Sequence, residues 1–366
     1  MHVDGAKADG SGLTRSARNP AGHAVLVTGG AGFFGEILKN RLLAEGADCV
    51  SIDLQPDTTT HPRLTSVRGD IRDQSRMDQL FQTYRFSTVY HCAAILAHAV
   101  ADTDLLWTSN VDGTRVVADL ARQHGARKVV FISSNCLWAA PFGRPVVEAD
   151  QPQPREIYGR SKWEGEKILA GYANAFEAVI LRCPTIIASG RLGLLSILFE
   201  FIHEGRRVWV VGGGANRYQF IYAQDLADVC LRAAAPGVAG VFNIGSDRVA
   251  PLRDVYQQVI DRAGTAARVA SLPKTPALAM MRLAHAVGLS PLGPYQYRMI
   301  AEDFEFDTTK LKTQLAWAPT LTNGEMLAQA YEYYRDHLDD IRSRTDVSAH
   351  RQPARLGAIR LLKWLS

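Results

Sequence analysis

The segment TGGAGFFG at residues 28–35 decides the architecture of this chain. It follows the apolar run AVLVT (24–28) and opens an amphipathic stretch, so it joins a strand to a helix. Glycines at this junction permit a tight turn and let backbone amides approach a ligand at the helix N-terminus, which favours negative charge. The spacing G-x-x-G-x-x-G is supplied by Gly29, Gly32 and Gly35. The segment therefore predicts a site for the pyrophosphate of a dinucleotide.

An acid at the end of the next strand strengthens this prediction. Asp53 closes the apolar run CVSID, 18 residues after the last glycine, where a carboxylate accepts hydrogen bonds from a ribose. Leu54 and Gln55 follow it, so no adjacent cation neutralises a 2′-phosphate, and NAD is expected rather than NADP. Arg63 and Arg68 lie further on, and a loop that brings either back would alter this choice.

The pattern after this point alternates short Val/Ile-rich strands with amphipathic helices, which is typical of a parallel sheet covered on both faces. We predict an α/β fold, a Rossmann-type doubly wound parallel sheet with a smaller, mostly helical C-terminal substrate domain. The predicted boundaries are a disordered tail (1–22), an NAD-binding domain (23–185, with returning segments near 216–246), a substrate-binding domain (186–340) and a basic amphipathic tail (341–366).

Composition limits the classes of function. The 366 residues are 47% hydrophobic and 21% charged, with five cysteines, an odd number without a CxxC pair, which favours reduced thiols and no metal site. We find neither a signal sequence nor a spanning segment and expect a cytoplasmic protein.

The net charge of +4 is unevenly distributed. Residues 341–366 hold six basic side chains against one acidic one, which leaves 23–340 slightly acidic and argues against nucleic acid as a partner. The tail ends in RLGAIRLLKWLS, a basic amphipathic segment that either docks on its own domain or contacts a membrane surface or a partner.

A second motif supplies chemistry. Tyr158 and Lys162 stand four residues apart at the start of a predicted helix, so both lie on one face. An ammonium beside a phenol stabilises the phenolate and suits it to proton transfer near neutral pH. Ser133 and Ser134 precede them at the end of a strand.

Asp70 and Ile71 follow a third predicted strand, where they would contact an adenine ring. An alternative of equal weight is that Asp70 or Asp73 caps the following helix.

Taken in order, these motifs resemble the extended short-chain dehydrogenase/reductases, in the NAD-dependent epimerase/dehydratase family, over about 23–337. The matching segments include VTGGAGFFG, GDI (69–71), HCAA (91–94), NVDGT (110–114), FISSN (131–135), YGRSK (158–162), LRCPT (181–185), RYQFIYAQDLA (217–227), FNIGS (242–246) and FDTTKLKTQLAWAP (306–319).

The resemblance implies a role for each matching residue. Tyr158 would be the general acid/base, Lys162 would bind the nicotinamide ribose and tune Tyr158, and Ser134 would donate to the reacting oxygen. The implied cofactor contacts are Gly29, Gly32, Phe33, Phe34, Gly35, Asp53, Asp70, Ile71, Ala93, Ala94, Asn110, Ser133, Tyr158 and Lys162. The implied substrate contacts are Ser134, Cys136, Thr185 and Arg217. The helices at 110–124 and 158–172 are implied to form a homodimer.

Within the family, members that eliminate water carry an acid directly after the catalytic Ser or Thr, whereas this chain has Asn135 and Cys136. Arg217 matches an arginine that binds the diphosphate of a nucleotide sugar, although it also suits a surface cap. We therefore expect a nucleotide-sugar 4-epimerase. The alternatives are a 3β-hydroxysteroid-dehydrogenase-like enzyme on a lipid or terpenoid alcohol, and a cofactor-binding regulator without turnover.

Overall fold

The computed structural model describes residues 24–96, 102–286 and 294–343. The predicted N-terminal tail and residues 344–366 of the basic tail lie outside the described residues. The strands are β1 (Ala24–Thr28), β2 (Cys49–Asp53), β3 (Leu64–Arg68), β4 (Phe86–His91), β5 (Lys128–Ser134), β6 (Glu177–Cys183), β7 (Thr185–Ile187), β8 (Arg207–Val211), β9 (Phe220–Tyr222), β10 (Gly240–Asn243) and β11 (Arg268–Leu272).

The α-helices alternate with these strands through the first half and dominate the second. They are α1 (Phe33–Ala44), α2 (Gln74–Thr83), α3 (Thr103–Trp107), α4 (Gly113–Gln123), α5 (Ile157–Ala170), α6 (Leu195–His203), α7 (Ala223–Ala233), α8 (Leu252–Ala263), α9 (Lys274–Ala286), α10 (Pro294–Ala301), α11 (Thr309–Leu315), α12 (Asn323–Asp336) and α13 (Leu338–Ser343). A π-helical turn (Thr108–Asp112) leads into α4, and 3-10 turns follow β5 and β8.

Seven strands form one sheet in the order β10-β6-β5-β4-β1-β2-β3, and every pairing in it is parallel. This confirms the predicted Rossmann-type sheet with helices on both faces. The sheet has a hydrophobic core on each face, and neighbouring residues of a strand pack into opposite cores because side chains alternate across a sheet. Val27 packs with α1 and α7 on one face, whereas Leu26 packs with α2, α4 and α5 on the other.

The second half builds a mostly helical body beside the sheet. Its core lies between α6, α8 and α12 and the two-stranded parallel pairs β8-β11 and β7-β9. Two later segments return to the sheet: β10 pairs with β6, and Leu311 and Trp317 pack with Phe242 in the sheet core. Residues 309–317 thus pack with the sheet, although the predicted boundaries assign them to the substrate domain.

Candidate active site

The glycine loop is shaped by close backbone approaches. Gly29 has φ +71°, and a Cβ there would lie 2.7 Å from Cα of Ala93. A Cβ on Gly35 would lie 2.0 Å from the carbonyl oxygen of Gly29, so the first turn of α1 packs directly on the loop. Only glycine fits these two positions without displacing backbone. The N-terminus of α1 thus lies at the loop that follows β1, and a helix N-terminus in this place suits a pyrophosphate.

Asp53 lies at the loop, as the ribose interpretation requires. Its carboxylate accepts hydrogen bonds from the Ala31 N–H (3.1 Å) and the Gln55 N–H (2.9 Å). Of the two arginines that left the choice of dinucleotide open, Arg63 donates to Gly46 O, whereas Arg68 pairs with Asp53 in the strand register and donates to Leu54 O (3.1 Å). Both guanidinium groups are thus held by backbone carbonyls.

A buried ion pair behind the loop escaped the sequence analysis. Lys39 of α1 is fully buried, and its ammonium contacts Gly30 O (3.1 Å) and the Asp57 carboxylate (2.5 Å). Burial alone would raise the pKa of Asp57, but hydrogen bonds from Lys39 and the Thr59 N–H (3.0 Å) outweigh it, and the pKa is lowered. Lys39 therefore joins the glycine loop to the segment after Asp53. Its position on the apolar face of α1 is the only signal in the sequence.

The adenine-side residues have partners within the chain. Asp70 accepts hydrogen bonds from the Arg72 guanidinium, which also lower the pKa of Asp70. Asp73 caps α2 by accepting from the Arg76 N–H (3.0 Å). Ile71 is buried, and a Cβ on Gly113 would lie 2.6 Å from its side chain. The cap belongs to Asp73, and an adenine contact by Asp70 or Ile71 stays a prediction.

The start of α5, which carries Tyr158, lies against the turn that follows Ser134. Ser134 ends β5, and its hydroxyl accepts from the Cys136 N–H (3.1 Å) at the start of a 3-10 turn. A Cβ on Gly159 would lie 2.2 Å from Cys136 O, so α5 begins directly against this turn. Tyr158 lies half-buried in the first turn of α5. Sequence reasoning missed Gly159, which permits this approach.

Lys162 is buried one helical turn after Tyr158. Its ammonium donates to Ile132 O (2.8 Å) and lies 4.6 Å from the centre of the Phe131 ring. Burial lowers the pKa of Lys162 to about 8, an effect that nearby acidic groups only partly oppose. The side chain therefore keeps most of its charge at neutral pH, which is what stabilising a phenolate on Tyr158 requires.

Asn110 fastens the loop after β4 to the helix that carries Tyr158. Its side chain accepts from the Ile95 N–H (2.7 Å) and donates to Ile95 O (3.0 Å) and to the Ser161 hydroxyl (3.0 Å). Ser161 in turn donates to Tyr158 O (2.8 Å). The predicted cofactor contacts Ala93 and Ala94 lie on the loop held in this way. Asn110 thus couples the two ends of the site.

His91 forms a buried chain of hydrogen bonds between β1, β4 and α4. The Thr114 hydroxyl donates to Asn110 O (2.6 Å), so it accepts from His91 Nε2 (2.9 Å), and Nδ1 accepts from the Thr28 hydroxyl (2.7 Å). This order requires a neutral imidazole. Burial, with the charge of Lys162, lowers the pKa of His91 to about 3. His91 was not predicted as a functional residue, and it positions the ends of β1 and β4.

Ser133, predicted as a cofactor contact, faces the other way from Ser134. Its hydroxyl donates to Glu166 (2.5 Å), which forms a buried ion pair with Arg182 (2.7 Å). Arg182 also lies 5.1 Å from the Trp138 ring. Alternation along β5 accounts for this, because neighbouring residues of a strand face opposite sides.

The predicted substrate contacts are spread out. Cys136 lies half-buried in the turn after Ser134, and Thr185 of β7 contacts Met299 Sδ (3.8 Å). Arg217 is exposed and donates to Val249 O. The next residue, Tyr218, is buried, and its hydroxyl accepts from the Asn135 amide (2.7 Å) beside Ser134. The structure thus brings Tyr218 to the Ser134 turn, and sequence reasoning had not selected it.

The two aromatic residues of the glycine loop are buried. Phe33 lies beneath the Arg191 guanidinium (5.4 Å), and Phe34 packs in the sheet core. Their side chains thus hold α1 in place.

The fold and this arrangement are those of a dinucleotide-dependent enzyme class, with Tyr158 and Lys162 one helical turn apart at the predicted acid/base position. A model of the NAD dependent epimerase/dehydratase family matches residues 25–245, so the chain belongs to that family and is an NAD-dependent enzyme. A Sinorhizobium fredii protein, the uncharacterized protein y4nG, is 35% identical over 93% of this chain and 85% of its own length. A Mycolicibacterium smegmatis UDP-glucose 4-epimerase is 26% identical over 85% of this chain and 98% of its own length. An Arabidopsis thaliana 3beta-hydroxysteroid-dehydrogenase/decarboxylase isoform is 27% identical over 84% and 61%.

Solved structures share the fold. A Thermotoga maritima UDP-glucose 4-epimerase with UDP-glucose has a TM-score of 0.72 at 23% identity, covering 86% of this chain and 99% of its own. The Bordetella bronchiseptica enzyme WbmG, solved with NAD, has a TM-score of 0.70 at 20% identity, covering 87% and 96%.

Proposed function

We propose that this protein is an NAD-dependent 4-epimerase of a nucleotide-activated sugar, working through a transient 4-keto sugar. The observation that carries the proposal is the neutral pair beside Ser134. Asn135 donates its amide to the Tyr218 hydroxyl at the position where family members that eliminate water resemble one another in having an acid. Because this chain has a neutral Asn135 in place of that acid, the simplest reaction is oxidation at C4 followed by reduction on the opposite face of the sugar.

In this proposal the chain's own residues move one proton and hold one oxygen. Tyr158, one helical turn before the buried ammonium of Lys162, takes the proton from the C4 hydroxyl and returns it at the end of the cycle. The Ser134 hydroxyl donates to the same oxygen. NAD, when bound by the glycine loop and Asp53, supplies a reversible hydride acceptor. Cys136, Thr185 and Arg217 complete the proposal as substrate contacts, with the exposed Arg217 guanidinium available to a diphosphate.

The relatives support the sugar assignment, because a full-length match is to a UDP-glucose 4-epimerase. The test starts with a thermal-shift screen of UDP-, GDP- and dTDP-sugars against sterols, since a ligand raises stability with its occupancy. The best sugar, deuterated at C4, is then incubated without added NAD. We expect the C4 epimer with its deuterium retained, and Tyr158→Phe should lower kcat by about 10²–10⁴-fold. Sugar binding without formation of the C4 epimer would exclude the proposal. So would an epimer that the Tyr158→Phe variant forms at the wild-type rate.

The second candidate is an oxidoreductase acting on a lipid or terpenoid alcohol. The relative that favours it is the 3beta-hydroxysteroid-dehydrogenase/decarboxylase isoform. This second candidate predicts that the purified protein carries no bound nucleotide. It also predicts continuous formation of NADH when a hydroxysteroid and NAD are added together.

The resemblance extends the proposal to a homodimer through α4 and α5, which pack together on one face of the sheet. Sedimentation velocity tests this, and an Arg160→Glu substitution on the exposed side of α5 should weaken the dimer. No helix in the described ranges is long and apolar enough to span a membrane. A cytoplasmic location, supported by the odd number of cysteines, remains part of the proposal.

A further inference from the structure

The helix α9 exposes an apolar stripe. Met280 is 68% and Leu283 67% exposed, more than any other large hydrophobic residue in the described parts of the chain. Pro276 is also exposed. Pro276, Met280 and Leu283 stand at positions i, i+4 and i+7, which align on one side of a helix. The opposite side holds α9 to the protein, where Ala277 and Met281 pack with Val211 and Ala301. The stripe is thus a face of an anchored helix.

The segment that carries this stripe has basic side chains but no acidic one, and Arg262 at its start pairs with Glu332 (2.7 Å). Residues 262–301 contain no aspartate or glutamate, and they contain Arg262, Arg268, Lys274, Arg282 and Arg298. The whole chain has 37 acidic residues in 366, so about four would be expected in forty. Arg282 is exposed on α9 beside Leu283. An apolar stripe within a segment that carries only positive charge fits an anionic apolar boundary.

The C-terminal sequence has the same character. Residues 347–366 contain four basic side chains and no acidic side chain, and they end in RLGAIRLLKWLS. Two positive segments repel each other, which disfavours docking of this tail on α9. Both segments suit one shared negative surface.

We propose that α9, through Met280 and Leu283 with the exposed Lys274 and Arg282 of the same helix, docks this protein on an anionic lipid surface. α9 also lies beside the predicted substrate side of the molecule. Thr185 contacts Met299 of α10, and Tyr297 of α10 donates to Met281 O of α9 (2.8 Å). The surface contact does not depend on which reaction the site performs.

The test is cosedimentation of the full chain with vesicles of phosphatidylcholine alone or with 30% phosphatidylglycerol. We expect binding to the anionic vesicles that weakens at high salt, because screening shortens the reach of the charges. Met280→Gln with Leu283→Gln should lower the partition coefficient at least tenfold. Leu54→Gln, at another exposed leucine, should leave it unchanged. Both variants alter exposed side chains, and unchanged thermal melting verifies their folding.

Three outcomes would overturn the proposal. The first is the absence of binding to anionic vesicles. The second is full binding by the Met280/Leu283 variant together with loss of binding on removal of 344–366, because the tail would then be the anchor. The third is a dimer that the Met280/Leu283 variant dissociates, because a second copy of the chain would then cover the stripe.

Discussion

Removal of either member of the buried Lys39–Asp57 pair should destabilise the protein by several kcal/mol. The Lys39 side chain is 0% exposed and that of Asp57 6%, so neither charge is solvated if its partner is lost. Breaking a buried pair from one side costs about 3–5 kcal/mol. Two substitutions of matched size test this, Lys39→Met and Asp57→Asn.

The two substitutions should differ in magnitude. After Lys39→Met, the Asp57 carboxylate keeps its bond from the Thr59 N–H (3.0 Å), so we expect about 3 kcal/mol. After Asp57→Asn, a fully buried ammonium has only neutral acceptors, the Gly30 carbonyl and the new amide oxygen, and no counter-charge, so we expect about 4–5 kcal/mol. The double variant leaves neither charge and should lie within about 1 kcal/mol of the wild type.

Urea unfolding of NAD-free protein, followed by circular dichroism, measures these free energies. Bound NAD must be removed because it adds its own binding energy to the native state. Arg41→Met is the matched control, since Arg41 lies on the same helix in an exposed pair with Glu45 (3.0 Å) and should cost less than about 1 kcal/mol.

The pH gives a further check. The pKa of Asp57 is lowered in the native state, so the pair stabilises the protein fully above the usual pKa of an aspartate. This stabilisation is lost as the pH falls from that usual pKa through the lowered pKa of the native state. The advantage of the wild type over Lys39→Met should therefore shrink on acidification. Costs below about 1 kcal/mol for both single substitutions, or a double variant as unstable as their sum, would refute the reasoning.

Three further predictions concern the site. His91 refuses a proton that the unfolded chain accepts below its usual pKa of 6.5, so stability should fall by about 2 kcal/mol between pH 7 and pH 5; His91→Gln should flatten this dependence in urea titrations, and the exposed His203→Gln should not. Ser133→Ala should lower the unfolding free energy by about 1–2 kcal/mol at unchanged NAD affinity, whereas Ser134→Ala should lower kcat; calorimetric NAD binding separates them, and weaker NAD binding by Ser133→Ala would contradict its placement on Glu166. Gly159→Ala adds a Cβ 2.2 Å from Cys136 O and must displace the start of α5, so kcat should fall at least tenfold at an unfolding cost of about 1–3 kcal/mol; unchanged kcat would show that Tyr158 does not depend on this contact.

Local patterns were sufficient to predict the sheet and the ends of the site. A parallel strand buried on both faces is a continuous apolar run, and β5 shows this with all seven residues buried. The glycine spacing and the strand-end Asp53 are similarly local, because the close approach of Gly35 to Gly29 lies within one turn. The limits of α5 also followed from the sequence to within two residues.

Contacts between distant segments were beyond such patterns. Nothing within a few residues of Tyr218 shows that its hydroxyl meets Asn135, 83 positions away, rather than the neighbouring Arg217. Lys39 reads as a solvated helix residue until the fold buries it against Asp57. The return of Leu311 and Trp317 to the sheet likewise depends on packing across the chain.

The sequence by itself thus determined the fold class and was sufficient to predict the dinucleotide loop and the Tyr158-Lys162 pair, because each depends on spacing within a single strand, turn or helix. Only the tertiary structure decided the partners of adjacent side chains: Ser133 binds Glu166 whereas Ser134 accepts from the Cys136 N–H, and Tyr218 binds Asn135 whereas Arg217 donates to Val249 O. The physical reason is that side chains alternate between the two faces of a strand with a fixed period. Which elements pack on each face of the sheet depends on all the packed elements together.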